Sequence, residues 1–541
     1  MFFHLKIIIR NLQRGGIYSY INVGGLAIGM AAAILILAWI HHEWSYDRFH
    51  AKEKHLYVVY SSIISNGETR CWGWTPQVLG PTLKTDYPEI AGVARMRNAS
   101  LLFANDDVKL NISTGYTDPD FLTMFDFPLL YGNTEIALND PYSVILTEKT
   151  AIRLFGQEDP MGKTLLADNQ HSMTVTGVMK DLPGNTLFEF DALVPFLFKK
   201  QNSYDEKWHN YTLQTYVELK SNVRLDLVNE SIRDVVKSHT NNEVLNEPFL
   251  YPIGEQHVYS KFVNGIPVSD GLTEKMQLFG VIAGLALLIA CINFTNLSTA
   301  RSEKRAKEVG VRKVLGGKRW SLIGLFMKES MVVSLIAGAI ALVLALMALP
   351  IFETLIGQRL VLNYSTVWFW LAVAGFILLT GFLAGSYPAF YLSSFLPIKV
   401  LKGIFRTKHA LISPRKVLVV VQFTVASALM MSTFVIHRQI RYAQDRETGY
   451  NKDQLIYTVF KGNISKNYEL IRNDLLTSGI AISVTKTSSP MTQGWYSSSI
   501  DDWQGKNPDE KIGYDGYYID TDWSKTVGAT IIEGRDIDIY N

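Results

Sequence analysis

The segment of this 541-residue chain that comes closest to a nucleotide-binding motif is the run from Gly156 to Thr164. A P-loop spaces its first glycine more closely from the Gly-Lys-Thr than this run does, since five residues separate Gly156 from Gly162. Pro160 also stands where backbone N–H groups would have to hold phosphate, and proline has no N–H to donate. The spacing therefore favours an ordinary turn over a phosphate site.

Other patterns that could carry catalysis or bind a metal are incomplete. The pair His41-His42 and the pair His50 and His55 lack the spacing of zinc ligands, and no serine stands in a G-x-S-x-G elbow. The two cysteines, Cys71 and Cys291, are too few for a disulfide framework or a cysteine-based metal site. The sequence therefore predicts no catalytic residue and no metal site.

Five apolar windows dominate the chain, in which 48% of residues are apolar and 19% are charged. A bilayer core needs about 20 apolar residues in a helix, and each window approaches or exceeds that length. The windows are 17–40, 276–300, 331–350, 367–391 and 417–436. The first is too long for the apolar part of a cleaved signal peptide, so it is predicted to be a retained span. The run from His41 to Trp44 that follows it is predicted to be interfacial, with Trp44 at headgroup level.

Basic residues set the expected orientation of these spans. Lys and Arg number three in 1–16, eight in 301–319 and six in 392–416, whereas the loop 351–366 carries only Arg359. Because basic loops remain in the cytoplasm, the N-terminus and these basic connections are predicted to be cytoplasmic. The polar stretches 41–275 and 437–541 are then outside. A net charge of +2 gives no general polyanion-binding surface, so no nucleic-acid partner is expected.

The first outer stretch, 41–275, reads as an α+β domain. Runs rich in β-branched and aromatic residues predict strands, and apolar residues at helical spacing predict helices between them. The predicted strands are 56–63, 143–147, 173–180 and 212–219, and the predicted helices are 148–155 and 225–238.

The two halves of the chain contain an internal repeat. The run 52–60 aligns with 452–460 at an offset of 400, and 118–121 aligns with 520–523 at an offset of 402. The first span falls on the fifth at the same offset. The repeat predicts a duplicated unit of one span, a large outer domain and three spans. Since Asn541 would fall inside the second outer domain, the chain is expected to be an N-terminal fragment of an eight-span protein.

The segment after the second span forms a strongly basic helix with one apolar stripe. Val311, Val314 and Leu315 are spaced i, i+3 and i+4, and Gly316-Gly317 ends the helix before the third span. Such a helix fits two interpretations from physics alone. It lies on anionic lipid, or it docks a cytoplasmic partner.

This segment is part of a resemblance that covers essentially the whole chain. The stretch ending at Gly316, the run from Ser386 to Gly403 after the fourth span, and Trp44-Ser-Tyr-Asp-Arg-Phe49 resemble the FtsX/MacB-like family of ABC transporter permeases, in particular its duplicated eight-span members from Bacteroidetes-type bacteria. The resemblance implies an α-helical polytopic membrane protein with α+β extracytoplasmic domains of the MacB periplasmic core type. It favours the docking interpretation of the basic helix.

The resemblance also implies a mechanism and a site. Such a permease subunit couples ATP hydrolysis by a separate cytoplasmic ABC ATPase to movement of its periplasmic domains, in order to export an antibiotic or peptide or to release a lipoprotein. The chain is expected to hold no cofactor of its own, because ATP and Mg²⁺ are bound by that ATPase. The expected ATPase-coupling residues are Glu308, Val309, Gly310, Arg312, Lys313, Leu315 and Gly316.

The expected location is the bacterial inner membrane, in contact with lipid and with a periplasmic adaptor or an outer-membrane channel as further candidate partners. The expected organisation is an amphipathic cytoplasmic segment 1–16, span 17–40, outer domain 41–275, span 276–300, coupling helix 301–319, two spans within 320–391, cytoplasmic linker 392–416, span 417–436 and a truncated second outer domain 437–541. Two alternatives stay open: a membrane sensor or receptor, and a non-transporting regulator of cell-wall hydrolases.

Overall fold

The computed structural model describes residues 16–65, 67–201, 207–300, 309–362, 364–394, 414–446, 449–460, 464–492, 494, 497–499 and 513–537. Within them, five helices are long and apolar enough to cross a membrane. Spans 1 to 5 are Ile17–Trp44, Leu272–Ala300, Arg319–Ile356, Val367–Ser393 and Pro414–Asp445. Each helix extends beyond its apolar window. The predicted class, a polytopic helical membrane protein with an α+β domain, is confirmed.

Spans 1 to 4 form a bundle that is held together by small residues. Span 1 packs against spans 2 and 3, span 4 packs against spans 2 and 3, and span 5 contacts span 2. A Cβ atom on Gly29 would lie only 2.4 Å from the Cβ of Ala290, so glycine lets spans 1 and 2 approach closely. The hydroxyl of Ser334 donates a hydrogen bond of 2.7 Å to the carbonyl of Ile377, which joins spans 3 and 4.

The domain between spans 1 and 2 is built on a twelve-stranded mixed sheet. Its strands are β1 Leu56–Ser65, β2 Glu68–Trp72, β3 Thr75–Pro76, β4 Ile90–Asn105, β5 Val108–Thr117, β6 Leu129–Gly132, β7 Ser143–Thr147, β8 Thr164–Ala167, β9 His171–Met179, β10 Ala192–Pro195, β11 Tyr211–Leu219 and β12 Glu247–Pro252. The main order is β12-β1-β11-β4-β5-β10-β7-β9-β6, in which only β5–β10 and β7–β9 are parallel. A separate hairpin, β13 Lys261–Val263 and β14 Ile266–Val268, leads into span 2.

Among the described residues of this domain, seven α-helices pack on the sheet. They are α1 Leu79–Asp86, α2 Phe121–Met124, α3 Glu148–Phe155, α4 Phe196–Gln201, α5 Leu225–Ile232, α6 Val235–His239 and α7 Ile253–Gln256. The predicted helix 148–155 and strand 143–147 are confirmed. The prediction of a single helix over 225–238 is wrong, because the helix is interrupted before Asp234. Asp234 stands at the start of α6 and pairs with Lys237.

The run from Gly156 to Thr164 forms a turn, as its spacing predicts. The N–H of Gly162 donates to the carbonyl of Val175, and the ammonium of Lys163 pairs with Glu158. Both glycines adopt positive φ values, 64° at Gly156 and 72° at Gly162. The lysine that a P-loop would direct to phosphate is held by a neighbouring carboxylate.

The outer end of span 1 differs from its prediction. His42 and Glu43 are 0% and 3% exposed, so they are buried within the protein and do not face a membrane-water interface. Asp47, just beyond the span, is also buried. The interfacial prediction is therefore wrong for His42 and Glu43, because parts of the chain distant in sequence contact them.

In the described part of the stretch after span 5, two ion pairs lie around a short helix. Asp520 lies 3.5 Å from the ammonium of Lys486, and Asp522 lies 2.6 Å from the guanidinium of Arg472. Asp522 precedes the short helix α9 Trp523–Val527, and Arg472 lies on α8 Tyr468–Thr477.

The first domain has the same arrangement at the aligned positions. Asp118 pairs with Arg95 on β4 at 2.8 Å, Asp120 pairs with Lys84 on α1 at 2.5 Å, and α2 follows. The antiparallel pairing also matches, because Met96 faces Thr117 in the first domain and Thr487 faces Ile519 in the second stretch.

Candidate functional site

The segment that connects spans 2 and 3 folds back against the bundle at the end opposite the first domain. We call residues 309–316 the coupling segment. Residues 309–314 are helical, and the helix stops where Gly316 adopts a φ of 88°. The next residue must also be glycine, because a Cβ on Gly317 would meet the carbonyl oxygen of Arg312 at 2.8 Å. The two glycines therefore end the helix in the way that their sequence predicts.

Val309 anchors the coupling segment to the bundle. Its side chain is 1% exposed and belongs to an apolar cluster formed by spans 3 and 4. The other buried members of this cluster are Leu322, Ile323, Phe326, Ala389 and Leu392. Because the cluster joins two spans to the segment, displacing Val309 requires either span to move or apolar surface to become exposed.

Lys313 provides a second anchor. Its ammonium group donates a hydrogen bond of 2.7 Å to the carbonyl of Ser393, at the end of span 4. Burial and the neighbouring charge of Arg319 lower the pKa of Lys313. A carbonyl at a helix C-terminus carries partial negative charge, so a cation there is favourable.

The opposite side of the coupling segment is apolar and open to its surroundings. Val311, Val314 and Leu315 are exposed, with Leu315 80% exposed, and Trp320 is exposed close by at the start of span 3. Arg312 is exposed in the same turn. An apolar stripe flanked by basic residues suits a partner protein with an apolar groove and acidic rim, or an anionic lipid surface.

Two family models match consecutive parts of the chain. The MacB-like periplasmic core domain matches residues 19–235, and the FtsX-like permease C-terminal domain matches residues 280–397. The second match includes the coupling segment and the ends of spans 3 and 4 that hold it. The chain belongs to the FtsX/MacB-like family of ABC transporter permeases. The first domain is accordingly its MacB-type periplasmic core domain.

Similar proteins include some that are named ATP-binding/permease proteins and others that are named permeases. The macrolide export ATP-binding/permease protein MacB of Bdellovibrio bacteriovorus is 25% identical over 264 residues, which cover 48% of this chain and 38% of that protein. The uncharacterized ABC transporter permease YknZ of Bacillus subtilis is 26% identical over 305 residues, which cover 55% of this chain and 66% of that protein. The chain thus spans less than two thirds of the length of each of these relatives.

A solved domain of a permease protein from Porphyromonas gingivalis is also similar. It is 21% identical, with a TM-score of 0.32, and the match covers 38% of this chain and 92% of that domain.

The predicted coupling residues of this permease have different positions in the structure. Glu308 lies outside the described residues. Val309 and Gly310 are buried, Lys313 is half-buried, and Arg312, Leu315 and Gly316 are exposed. The structure therefore divides them into an anchoring side and an open side.

Two residues that contribute to this site, Ser393 and Trp320, were not predicted from the sequence. Ser393 accepts the Lys313 bond through its backbone, so its side-chain type carried no signal. Trp320 could have been found, because an aromatic residue directly after a basic loop is typical of a membrane-water boundary.

Proposed function

We propose that this chain is the membrane subunit of an ABC transporter whose ATP hydrolysis is supplied by a separate cytoplasmic ATPase. The coupling segment would be cytoplasmic and the core domain periplasmic, in a bacterial inner membrane. The charge asymmetry supports this orientation, since 301–319 carries eight Lys and Arg residues and 351–366 carries one. ATP and Mg²⁺ would be bound by the ATPase.

The observation that carries the proposal is the two-sided construction of the coupling segment. One side is fixed to spans 3 and 4 through Val309 and Lys313. On the other side, the side chains of Val311, Val314 and Leu315 are exposed. A segment fixed on one side and open on the other can receive a partner and pass its movement to the spans.

The mechanism follows from these contacts. When ATP draws the partner ATPases together, the coupling segment moves with them. Val309 and Lys313 transfer that displacement to the inner ends of spans 3 and 4 because the apolar cluster is close-packed and does not absorb it. The spans then move the periplasmic domain, which exports an antibiotic or peptide or releases a lipoprotein.

We also infer that residues 414–537 begin a second copy of the unit formed by span 1 and the core domain. The matching ion pairs support this inference, with Asp520 and Asp522 in the places of Asp118 and Asp120. Val459, which aligns with the buried Val59 of β1, is 46% exposed. In the first domain β1 pairs with β11 and β12 on its two edges, whereas 455–460 pairs with no strand in the part of the chain that the structure describes.

Affinity purification from native membranes tests the proposed function. The tagged full-length protein is isolated under mild crosslinking, and co-purifying proteins are identified by mass spectrometry. We expect an ATPase with a Walker A motif, and we expect its recovery to fall strongly when Arg312 and Lys313 are both changed to Glu. A matched control changes Lys54 and Lys109, which lie on the periplasmic domain, to Glu and should leave recovery unchanged. Intact protein without any ATPase would contradict the proposal and favour a sensor.

A further inference from the structure

A buried polar junction lies where the periplasmic domain meets the membrane spans. It brings together the outer end of span 1, the domain loop 181–187 and the loop 357–362 between spans 3 and 4. Its central groups, His42, Glu43 and Asp47, are all almost completely buried. Buried polar groups need partners, so their hydrogen bonds show which elements are tied together.

The first set of bonds ties span 1 to the domain loop. The carboxylate of Asp47 accepts hydrogen bonds from the hydroxyl of Thr186 and from the N–H of Leu187. The side-chain amide of Asn185 donates to the carbonyl and the hydroxyl of Ser45, at 3.0 Å each. The N–H of Asp47 donates in turn to the carbonyl of Asn185. The loop and the end of span 1 therefore move as one body.

A second contact fixes the same end of span 1 to another part of the domain. The carboxylate of Glu43 lies 2.6 Å from the imidazole Nε2 of His257, and the ring of Tyr46 stacks on His257 at 3.6 Å. His257 follows directly after α7. Span 1 is thus held by two separate regions of the domain.

The loop between spans 3 and 4 meets this body at two points. The N–H of Val361 donates a hydrogen bond of 3.3 Å to Nδ1 of His42. The backbone of Arg359 lies close to Gly184. A Cβ atom added to Gly184 would be only 2.3 Å from the carbonyl oxygen of Arg359. The φ angle of Gly184 is not positive, so its backbone conformation does not require glycine. The close contact with the backbone of Arg359 does.

We propose that Gly184 and His42 position the loop between spans 3 and 4 against the periplasmic domain, so that displacement of these spans is passed to that domain through the junction. This proposal rests on the proposed function, in which the coupling segment moves spans 3 and 4. Gly184 and His42 are positioning residues, since neither contacts ATP or a transported molecule in this scheme.

Two polar groups of the junction are not repeated at the aligned positions of span 5. At the repeat offset of 400, Tyr442 and Ala443 stand in place of His42 and Glu43. Tyr442 is exposed, and alanine has no polar side-chain atom to bind a histidine.

Two pairs of variants test the junction. Gly184→Ala inserts a methyl group between loop 181–187 and Arg359, whereas Gly73→Ala is its control, because a Cβ there meets only ordinary contacts at 3.5 Å and beyond. His42→Phe removes the acceptor for the Val361 N–H but keeps a ring. His42→Asn keeps an acceptor near Nδ1 and should restore function.

The readout is hydrogen exchange of loop 181–187 in the permease purified in nanodiscs with its ATPase, with and without Mg²⁺ and ATP. The proposal predicts a nucleotide-dependent change in exchange for the wild type, Gly73→Ala and His42→Asn. It predicts that Gly184→Ala and His42→Phe lose this change while they keep the bound ATPase. A purely structural role would lower the unfolding temperature of these variants without removing the nucleotide response.

The outcomes separate the two proposals. If no ATPase co-purifies with the wild type, the proposed function fails and the junction proposal fails with it. If the ATPase binds but loop 181–187 does not respond to nucleotide, only the junction proposal is overturned. A response that persists in both Gly184→Ala and His42→Phe overturns it as well.

Discussion

The ammonium group of Lys313 lies 2.7 Å from the carbonyl oxygen of Ser393, a residue 80 positions further along the chain. The bond joins the coupling segment to the end of span 4. Val309 makes the corresponding apolar contact with spans 3 and 4. These two contacts allow the exposed face of the segment to act on the spans.

Lys313→Met should loosen the coupling segment while it keeps the length of the side chain. The change removes the donor to Ser393, whose own side chain is completely buried. We expect faster labelling of a cysteine placed at Ser393, measured with a membrane-impermeant maleimide on inside-out vesicles in a background without Cys71 and Cys291. Lys318→Met is the control. Equal labelling rates in both variants would show that the Lys313 bond does not hold the segment.

Gly29→Ala should destabilise the bundle. Its methyl group would meet the Cβ of Ala290 at 2.4 Å, which is closer than two carbon atoms can pack. Overpacking of this kind costs about 1–3 kcal/mol of unfolding free energy. Gly24→Ala on the same helix meets nothing within 4 Å and should be neutral. Thermal unfolding in detergent compares the two variants, and equal midpoints would contradict the close approach of spans 1 and 2.

Asp118→Asn should be among the more damaging substitutions in the core domain. The carboxylate holds the buried guanidinium of Arg95 with two bonds of 2.8 Å. Breaking a buried pair from one side costs about 3–5 kcal/mol, because the guanidinium that remains loses the carboxylate bound to it. The pair of Arg472 and Asp522, in the stretch after span 5, is more exposed, so Asp522→Asn should cost about 1 kcal/mol or less. Denaturant unfolding of the full chain measures both, and a larger effect at Asp522 would contradict this ranking.

Two buried groups near the junction should give opposite pH dependences. Burial raises the pKa of Asp47 from 3.8 to about 6, and burial lowers the pKa of His50 from 6.5 to about 4. Between pH 4 and 6 the folded state keeps the Asp47 proton that the unfolded state releases, so the contribution of Asp47 to stability falls as pH rises. Neutral His50 in the folded state contributes stability that is present above pH 6.5 and lost as pH falls towards 4.

Single variants should separate these two contributions. Relative to the wild type, the unfolding free energy of Asp47→Asn should rise as pH increases from 4 to 6. That of His50→Gln should fall over the range from 4 to 6.5. Differences from the wild type remove the contribution of titrating groups that do not contact the changed residue; Asp47 and His50 lie 3.9 Å apart, so each is read only from its own variant. Parallel slopes in the two variants would contradict the assigned burial of Asp47 or His50.

The elements of this fold were predictable where one local pattern determines them. A backbone in lipid must satisfy its own hydrogen bonds, so long apolar windows identify the spans. The strand Ser143–Thr147 is buried at every position, and its β-branched residues were sufficient to find it. The turn at Gly156 was predictable for the same reason, because its glycines and proline act locally.

The contacts that give the site its two sides were not predictable. Buried His42 accepts a hydrogen bond from the N–H of Val361, in a loop 319 positions away, and no local pattern reports such a neighbour. In the sequence, nothing distinguishes Lys313 from the other basic residues of its segment. Only the structure shows that its ammonium group bonds to the carbonyl of Ser393. The exposed stripe of Val311, Val314 and Leu315 was found from its spacing, whereas the anchoring by Val309 required the packed spans.

Photocrosslinking from position 315 identifies what binds the exposed side of the coupling segment. A benzophenone amino acid replaces Leu315 in the full-length protein, and irradiation is carried out in native membranes. Met347 is the control position, because it is exposed on the apolar part of span 3. We expect a crosslinked ATPase with a Walker A motif from position 315 and only lipid adducts from position 347. Lipid adducts alone at both positions would show that the coupling segment lies on the membrane surface and does not dock an ATPase.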